Sequence, residues 1–238
     1  MEVEPSAKLI DYTENPEKNV ALAARLCYSK DGAEELEAKM SQEDMNNLVR
    51  KVVGMGHLST LEHTYFYFHV VCSRVTSHQL VRHRIGASYS QRSQRYVQED
   101  NFDYIMPPKI AEDPEAADDF KEWMEKGREM YNKMLEQGIP EEDARFVLPT
   151  VKTNLMVSFN ARSLHHFFNL RCCERAQWEI RSIADQMLKQ VKEVAPVLFE
   201  NAGPPCVSEG RCPEGEYTCG RINEIQKKYR DMNKEIDK

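Results

Sequence analysis

Residues 163–194 restrict the fold most, because the stretch contains neither proline nor glycine. Its large apolar residues recur at helical spacing, first in Leu164, Phe167 and Phe168 and then in Ile180 and Ile183. An apolar stripe of this kind predicts one or two long helices that bury one face. A chain of 238 residues is long enough to bury a sizeable core against them.

Segments typical of strands alternate with helical segments of unequal length. Residues 8–12, 63–71 and 151–159 are predicted strands, and the second of these is dense in β-branched and aromatic residues. The unequal helices do not form a regular strand-helix-strand series, which favours an α+β class over a doubly wound sheet. We predict a mixed or antiparallel sheet flanked by long helices in a single domain. Helices are predicted over 20–28, 42–53, 73–84, 119–137, 140–147 and in a charged, peripheral tail from residue 221.

The charge balance limits the classes of ligand. The formal net charge is -7, whereas a broad nucleic-acid surface needs clustered basic residues on a basic domain. The first ten residues lack the basic and then apolar pattern of a secretory signal, and no run of about 18 apolar residues occurs. The sequence therefore predicts a cytoplasmic protein that binds neither nucleic acid nor membrane.

The cysteines predict neither a disulfide framework nor a metal site. Their number is seven, which is odd, and no secretion signal accompanies them, so reduced thiols are expected. Cys206, Cys212 and Cys219 cluster near the end of the chain, but their spacing is not that of paired Cys-x-x-Cys motifs. We interpret them as loop thiols, with a structural metal as the alternative.

Residues 82–96 combine four arginines, a histidine and several hydroxyl side chains, and no Asp or Glu occurs anywhere from 63 to 98. Guanidinium groups recognise phosphate with two parallel hydrogen bonds, so this basic run predicts a site for a small anionic ligand. Residues 86–96 have a loop-like order of Gly, Ser and Tyr, which would make backbone amides available too. Gln79 lies one helical turn before the run and could share its face. The alternative is a solvated basic surface.

A second polar block surrounds a predicted strand-to-helix junction. Arg162, His166 and Asn169 are four and three residues apart, so they can share one helical face, and a helix N-terminus favours anions. The alternative is that Arg162 and Arg171 pair with Glu174 or other carboxylates on the surface.

Two further features leave alternatives open. His57 follows Gly56, where it could contact a ligand or simply be exposed. Cys172 and Cys173 follow Arg171, so either could be a thiolate beside a cation or an inert packing residue. No Gly-x-Gly-x-x-Gly, P-loop or His-Glu-x-x-His motif is present, so a dinucleotide would bind without a Rossmann loop.

The sequence resembles the flavin-dependent thymidylate synthases, whose hallmark is Arg-His-Arg, a spacer, and then Ser-x-Arg-Tyr. Here the hallmark reads Arg82-His83-Arg84, eight residues, and Ser93-Gln94-Arg95-Tyr96. The resemblance extends over 56–181 in the order of the family. Its other blocks are 56–57, 62–63, 79, 144–149, 160–164, 169–171 and 176–181.

The resemblance implies reductive methylation of dUMP to dTMP, with 5,10-methylenetetrahydrofolate as carbon donor and FAD, reduced by NADPH, as hydride source. It also implies homotetramers whose active sites combine residues of several subunits. The synthase domain would occupy residues 1–200, and 201–238 would be a cysteine- and glycine-containing extension with a charged tail.

The resemblance assigns roles by position. Arg171 would be the catalytic residue, its fixed charge stabilising an anionic pyrimidine ring. Expected FAD contacts are Ser59, Arg82, His83, Arg84, Gln91, Asn160, Arg162 and His166, with His57 beside the flavin and folate rings. Expected around the nucleotide are Gln79, Arg82, Gln91, Arg92, Ser93, Gln94, Arg95, Arg145 and Arg171.

Three positions depart from the family pattern. Gln91 stands where many relatives have Glu, Arg92 is an added charge, and His166 replaces an Asn seen in some members. Arg92 would either strengthen phosphate binding or point to solvent.

Two other functions remain as alternatives: a nucleotide- or RNA-binding module that uses the basic run as a phosphate clamp, and an oxidoreductase with the same flavin site but another acceptor.

Overall fold

A four-stranded sheet forms the framework of the computed structural model, which describes residues 1–236. Its strands are β1 (Ser6–Tyr12), β2 (Tyr65–Ser73), β3 (Ala87–Gln91) and β4 (Lys152–Asn160), in the order β1-β2-β4-β3. The amide of Arg92 donates to the carbonyl of Asn154, and the amide of Asn160 donates to that of Gly86. This pairing requires β3 and β4 to run in opposite directions, and equivalent bonds make the other pairs antiparallel too.

Helices account for most of the remaining chain. A 3₁₀ turn spans Leu58–His63, and further short 3₁₀ turns span Arg145–Val147 and Gly215–Tyr217. The α-helices are α1 (Pro16–Leu26), α2 (Ala33–Lys39), α3 (Gln42–Gly54), α4 (Arg74–Leu80), α5 (Pro108–Ala111), α6 (Pro114–Glu136), α7 (Glu141–Ala144), α8 (Ala161–Arg171), α9 (Trp178–Val194), α10 (Pro205–Ser208) and α11 (Ile222–Ile236).

The predicted α+β class and antiparallel sheet are confirmed, and the stretch 163–194 forms two helices, α8 and α9. Two local predictions are wrong. Helix α4 ends at Leu80 rather than 84, and the predicted loop 86–96 contains strand β3. The segment Ala87–Gln91 has little apolar alternation because β3 is an edge strand that pairs with β4 on one side only.

The internal contacts divide the chain into two compact units built from interleaved segments. The first comprises Met1–Ser6, Val70–Arg82 and Tyr89–Met156, and the second comprises Ala7–His69, His83–Ser88 and the chain from Val157 onward. The unit boundaries fall within strands and turns. For this reason no linker marks the boundaries in the sequence, and the sequence pattern predicts a single domain.

The first unit has its own apolar core. Helix α6 contributes Met124 and Ala117, which cluster with Phe102, Tyr104 and Val151. The guanidinium of Arg128 donates to the carbonyl of Phe102 at 2.9 Å. This core fixes the segments that precede and follow the predicted nucleotide loop.

In the second unit, aromatic side chains pack between β2 and the helices. Phe66 and Phe168 each meet the ring of Phe199 edge-on, with centroids 5.3 and 6.0 Å away. Strand β1 lies at the edge of the sheet, and glutamines of α9 cover its free edge. Gln190 accepts from the amide of Leu9 at 2.6 Å and donates to the carbonyl of Ala7 at 2.8 Å. Side-chain pairing of this kind blocks edge-to-edge aggregation.

The C-terminal extension is not peripheral, contrary to the sequence prediction. Ile225 and Tyr229 of α11 are 4% and 2% exposed. Because they are four residues apart, they form a narrow apolar stripe on an otherwise charged helix. The domain boundary near residue 200 stays a prediction. None of the helices within residues 1–236 is long and apolar enough to cross a bilayer.

Candidate active site

The start of α8 holds the loop that follows the Arg-His-Arg motif. Asn160 ends β4 and caps α8, its Oδ1 accepting from the amide of Ser163 at 2.9 Å. The hydroxyl of Ser163 donates to the carbonyl of Ile85 at 2.6 Å. Gly86 has φ +63°, and a Cβ there would lie 2.4 Å from Asn160 Nδ2 and from Ser163 Oγ. Only glycine fits, so the loop and the helix start form one rigid junction.

The end of α8 carries the predicted catalytic residue beside the motif histidine. Arg171 Nε donates to His83 Nε2 at 3.0 Å, and His83 packs edge-on against Phe167 at 5.0 Å and His166 at 5.9 Å. Burial, followed by the charges of Arg171 and His166, lowers the pKa of His83 to about 4. His83 is therefore neutral at pH 7. Since arginine only donates, Nε2 is the acceptor and the proton of the neutral ring lies on Nδ1.

Arg171 keeps its charge in this half-buried position. Burial lowers the pKa of its guanidinium, but arginine is not deprotonated in proteins. The last residue of a helix is also a favourable place for a cation. Glu174, proposed above as a surface partner, instead contacts Arg181 at 3.6 Å and Arg221.

The other predicted FAD contacts of the second unit are mostly exposed. Arg162 forms an ion pair with Glu62, and both side chains are about half exposed. The surface-pairing alternative therefore holds for Arg162. The 3₁₀ turn Leu58–His63 packs against α8. Exposed side chains in this unit include those of His57, Ser59, Arg84 and His166.

In the first unit, the end of β3 is fixed by side-chain hydrogen bonds. Gln91 Nε2 donates to Ser77 Oγ at 3.1 Å and to Thr153 Oγ1 at 3.2 Å. Ser93 Oγ accepts from the amide of Arg95 at 3.2 Å, which closes the turn after the strand. Gln94 is buried at 9% exposure.

The side chain of Arg92 is 33% exposed and faces a buried carboxylate. Its Nε lies 3.7 Å from Glu99 Oε1, and an NH2 group donates to the carbonyl of Gln98 at 3.4 Å. Glu99 is 3% exposed, and burial raises the pKa of its carboxyl, while Arg92, Lys152 and Arg74 oppose that rise. Arg92 thus neutralises a buried carboxylate.

Glu142 organises two other arginines of the predicted nucleotide site. Its Oε2 accepts from Arg95 Nε at 3.2 Å, and its backbone carbonyl accepts from Arg145 Nε at 3.0 Å. Gln79 is half-buried, whereas Arg82 is exposed.

The acid-free basic run thus obtains carboxylate partners from outside it, since Glu99 pairs with Arg92 and Glu142 with Arg95. Sequence reasoning assigned neither pair, nor the pair of Glu62 with Arg162, because these contacts leave no helical or strand pattern. Glu99 had one sequence indication, since it is the first acid after the acid-free stretch. Arg82 and Arg84 are exposed and make no ion pair within residues 1–236.

Cys172 is a packing residue and not a thiolate. It is 1% exposed, and burial raises the pKa of its thiol well above the ordinary value. Cys173, Cys206, Cys212 and Cys219 line a cavity of about 300 Å³ whose wall includes Arg171. The seven cysteines form no disulfide. In the described part of the chain, no group of three or more His, Cys, Asp or Glu is placed to hold a metal ion.

Comparison with known proteins identifies the family. Residues 8–197 match the sequence model of a family described as "Thymidylate synthase complementing protein". The flavin-dependent thymidylate synthase of Geobacter sulfurreducens is 48% identical over 229 residues, which cover 94% of this chain and 98% of the relative. The enzyme of the same name from Clostridium tetani is 46% identical over 240 residues, with coverages of 93% and 96%. The chain belongs to the flavin-dependent thymidylate synthase family.

A solved structure agrees with this membership. The UMP/dUMP methylase PolB from Streptomyces cacaoi, bound with 5-Br dUMP, superposes with a TM-score of 0.76 at 25% identity, covering 84% of this chain and 94% of PolB. The resemblance drawn from the Arg-His-Arg motif and its neighbouring blocks is confirmed. This member of the family is therefore an enzyme of the methyltransferase class.

Proposed function

We propose that this member of the flavin-dependent thymidylate synthase family methylates dUMP to dTMP, with methylenetetrahydrofolate as carbon donor and NADPH as the reductant of FAD. The names of the relatives support a flavin and a thymidylate product. The 5-Br dUMP bound to PolB supports a deoxyuridine nucleotide as the substrate. The reductant and the folate follow from the family resemblance.

The exposed arginines of the motif fit an FAD pyrophosphate. A dianionic group needs cationic donors that carboxylates do not already occupy, and Arg82 and Arg84 meet this requirement within residues 1–236. When bound and reduced by NADPH, the flavin would supply the hydride. The residues that would hold it are Ser59, Arg82, His83, Arg84, Gln91, Asn160, Arg162 and His166, with His57 at the flavin and folate rings.

The contact of Arg171 with neutral His83 carries the proposal for catalysis. His83 holds Nε of Arg171 without adding a second charge, so the guanidinium keeps a defined orientation and its full positive charge. A fixed, half-buried cation stabilises the negative charge that develops on the pyrimidine ring. The carbon to be methylated thereby becomes nucleophilic, and no enzyme thiolate is needed. The buried, protonated thiol of Cys172 is consistent with this mechanism.

The nucleotide would be bound mainly by the loop after β3 and by the 3₁₀ turn Arg145–Val147. Arg95 and Arg145 would contact its phosphate, and the hydrogen bonds to Glu142 would orient both guanidiniums. Arg92 would act indirectly, through its ion pair with Glu99. The complete predicted set is Gln79, Arg82, Gln91, Arg92, Ser93, Gln94, Arg95, Arg145 and Arg171.

The assembly and location are also proposals. We propose a cytoplasmic homotetramer whose active sites combine residues of several subunits, as the family resemblance implies. Exposed apolar side chains such as Ile85 and Phe146, at 89% and 82% exposure, are consistent with burial between subunits.

The role of Arg171 is tested by substitution with alanine. Arg171→Ala should lower the rate of dTMP formation by at least about 100-fold, because one preorganised electrostatic contact contributes on this order. FAD absorbance should remain, since Arg171 itself is not among the proposed flavin contacts. Arg50→Ala, which removes a surface ion pair with Glu200, is the control. Retained dTMP formation would refute the role of Arg171. Oxidation of NADPH by the wild-type enzyme without any dTMP would instead favour an oxidoreductase with another acceptor.

A further inference from the structure

The C-terminal extension reaches the residue that directly follows Arg171. The hydroxyl of Tyr229 in α11 lies 2.6 Å from Asp185 Oδ1 in α9 and 3.2 Å from the carbonyl oxygen of Cys172. Tyr229 and Cys172 are 2% and 1% exposed, so these contacts are shielded from water. Buried polar contacts of this kind are costly to break.

The protons of this network can be assigned. Lys228 Nζ donates to Asp185 Oδ2 at 2.5 Å, so both carboxylate oxygens of Asp185 accept hydrogen bonds. The single proton of the Tyr229 hydroxyl is then shared between Asp185, the stronger and closer acceptor, and the carbonyl of Cys172. The backbone carbonyl of Cys172 is thus held by a buried hydroxyl.

Cys172 is the C-cap of α8, so this network fixes the end of the helix that carries Arg171. The last carbonyls of a helix have no partner within the helix, and helix ends fray unless other groups bind them. Tyr229 supplies such a group one peptide bond from Arg171. His83 holds the side chain of Arg171, while Tyr229 holds the backbone beside it.

We propose that Tyr229 and Asp185 are positioning residues for Arg171, and that the C-terminal extension is therefore part of the catalytic apparatus. The inference rests on the proposed role of Arg171. The cavity of about 300 Å³ supports it, because Arg171 lines the same cavity as Cys206, Ile222 and Ile225 of the extension. The extension thus contacts the surroundings of Arg171 at more than one point.

Tyr229→Phe tests the inference, because it removes the hydroxyl and keeps the ring. We expect kcat for dTMP formation to fall between about 10- and 100-fold, the loss expected from a misplacement of roughly 1 Å. The FAD content and the rate of flavin reduction by NADPH without nucleotide should stay within about twofold of wild type, since neither needs Arg171. Tyr104→Phe, at a buried tyrosine of the other unit, is the matched control and should not change kcat.

A double-mutant cycle separates positioning from general destabilisation. If Tyr229 acts through Arg171, Tyr229→Phe should have little further effect on kcat in an Arg171→Lys background. Equal effects in both backgrounds, or an unchanged kcat in the single variant, would overturn the inference. Asp185→Asn serves the same cycle if Tyr229→Phe does not fold. Absence of dTMP formation by the wild-type enzyme would instead overturn the proposed function, so the two failures can be told apart.

Discussion

The guanidinium of Arg92 lies 3.7 Å from the carboxylate of Glu99, whose side chain is only 3% exposed. This contact gives the added charge at this position a carboxylate partner. Arg92 could not be assigned from the sequence, because Glu99 is seven residues away along a loop with no helical or strand periodicity. Arg171 and His83 are 88 positions apart, so no local pattern predicts their hydrogen bond, although the family resemblance singles out both residues.

Removing Arg92 should make stability more sensitive to pH. Burial raises the folded-state pKa of Glu99, so the folded protein binds the proton more tightly, and stability is lost as pH rises from the unfolded value of 4.5 through the higher folded value. Arg92→Ala removes the main opposing charge, so this loss should grow and extend to higher pH. We expect urea unfolding to show a deficit of about 1–3 kcal/mol at pH 8 and a smaller one at pH 5.

The double variant Arg92→Ala with Glu99→Gln is the control, because it carries no ionisable group at residue 99. The free energy of unfolding of this double variant should not show the added pH dependence of Arg92→Ala. A deficit of equal size at both pH values would contradict the account of Arg92. An unchanged dUMP affinity in Arg92→Ala would show separately that its guanidinium does not bind phosphate.

Because His83 is buried as a neutral ring, it should lower the free energy of unfolding in acid. Its folded-state pKa of about 4 is below the unfolded value of 6.5, so its contribution to stability is complete above pH 6.5 and is lost as pH falls toward 4. Between pH 7 and 5 the loss should be about 2 kcal/mol. In His83→Gln this part of the pH dependence should vanish, as measured by urea unfolding at both pH values. The exposed His78→Gln is the control, and an unchanged slope in His83→Gln would mean that His83 is not buried as a neutral ring.

The junction between β4, α8 and the motif loop shows which helices and strands the sequence could predict. The strand 151–159 and the helical stretch after 163 were predicted within about two residues of β4, α8 and α9, because long apolar patterns dominate there. Strand β3 was missed, since its pairing with β4 is a tertiary effect that a polar segment does not reveal. The burial of α11 was missed because Ile225 and Tyr229 are outnumbered by charges.

Gly86→Ala should disrupt this junction. The added methyl would meet Asn160 Nδ2 and Ser163 Oγ at 2.4 Å, in a backbone conformation with φ +63°. Gly138→Ala is a matched control, because its φ is +80° and a Cβ there meets nothing within 4 Å. We expect Gly86→Ala to lose about 1–3 kcal/mol more than the control in urea unfolding, which is the cost of overpacking. It should also bind less FAD, whereas equal losses in both variants would show that the close approach is unimportant.

The whole molecule is built from segments that lie far apart along the sequence. The sequence indicated the α+β class and the family, since the motif blocks fall in order along the chain. It could not show the two interleaved units, because each is assembled from segments far apart in sequence. Sharing of the active site between subunits is a proposal that follows from the family resemblance, so it needs its own test.

Complementation between two inactive variants provides that test. Arg145→Ala and Arg171→Ala should each be inactive as pure assemblies of the 27.7 kDa chain. If one active site takes these arginines from different subunits, mixed tetramers should regain up to roughly a quarter of wild-type dTMP formation, because some sites receive both intact residues. Mixed tetramers that are verified by differently tagged chains and yet stay inactive would contradict sharing between these two residues.

The most direct test of the central claim is a visible absorbance spectrum of the purified protein, followed during anaerobic NADPH addition with and without dUMP. We predict flavin bands that bleach on reduction, at a rate that dUMP changes because the nucleotide binds beside the flavin. A protein that remains colourless after incubation with FAD would contradict the account and favour a phosphate-binding module.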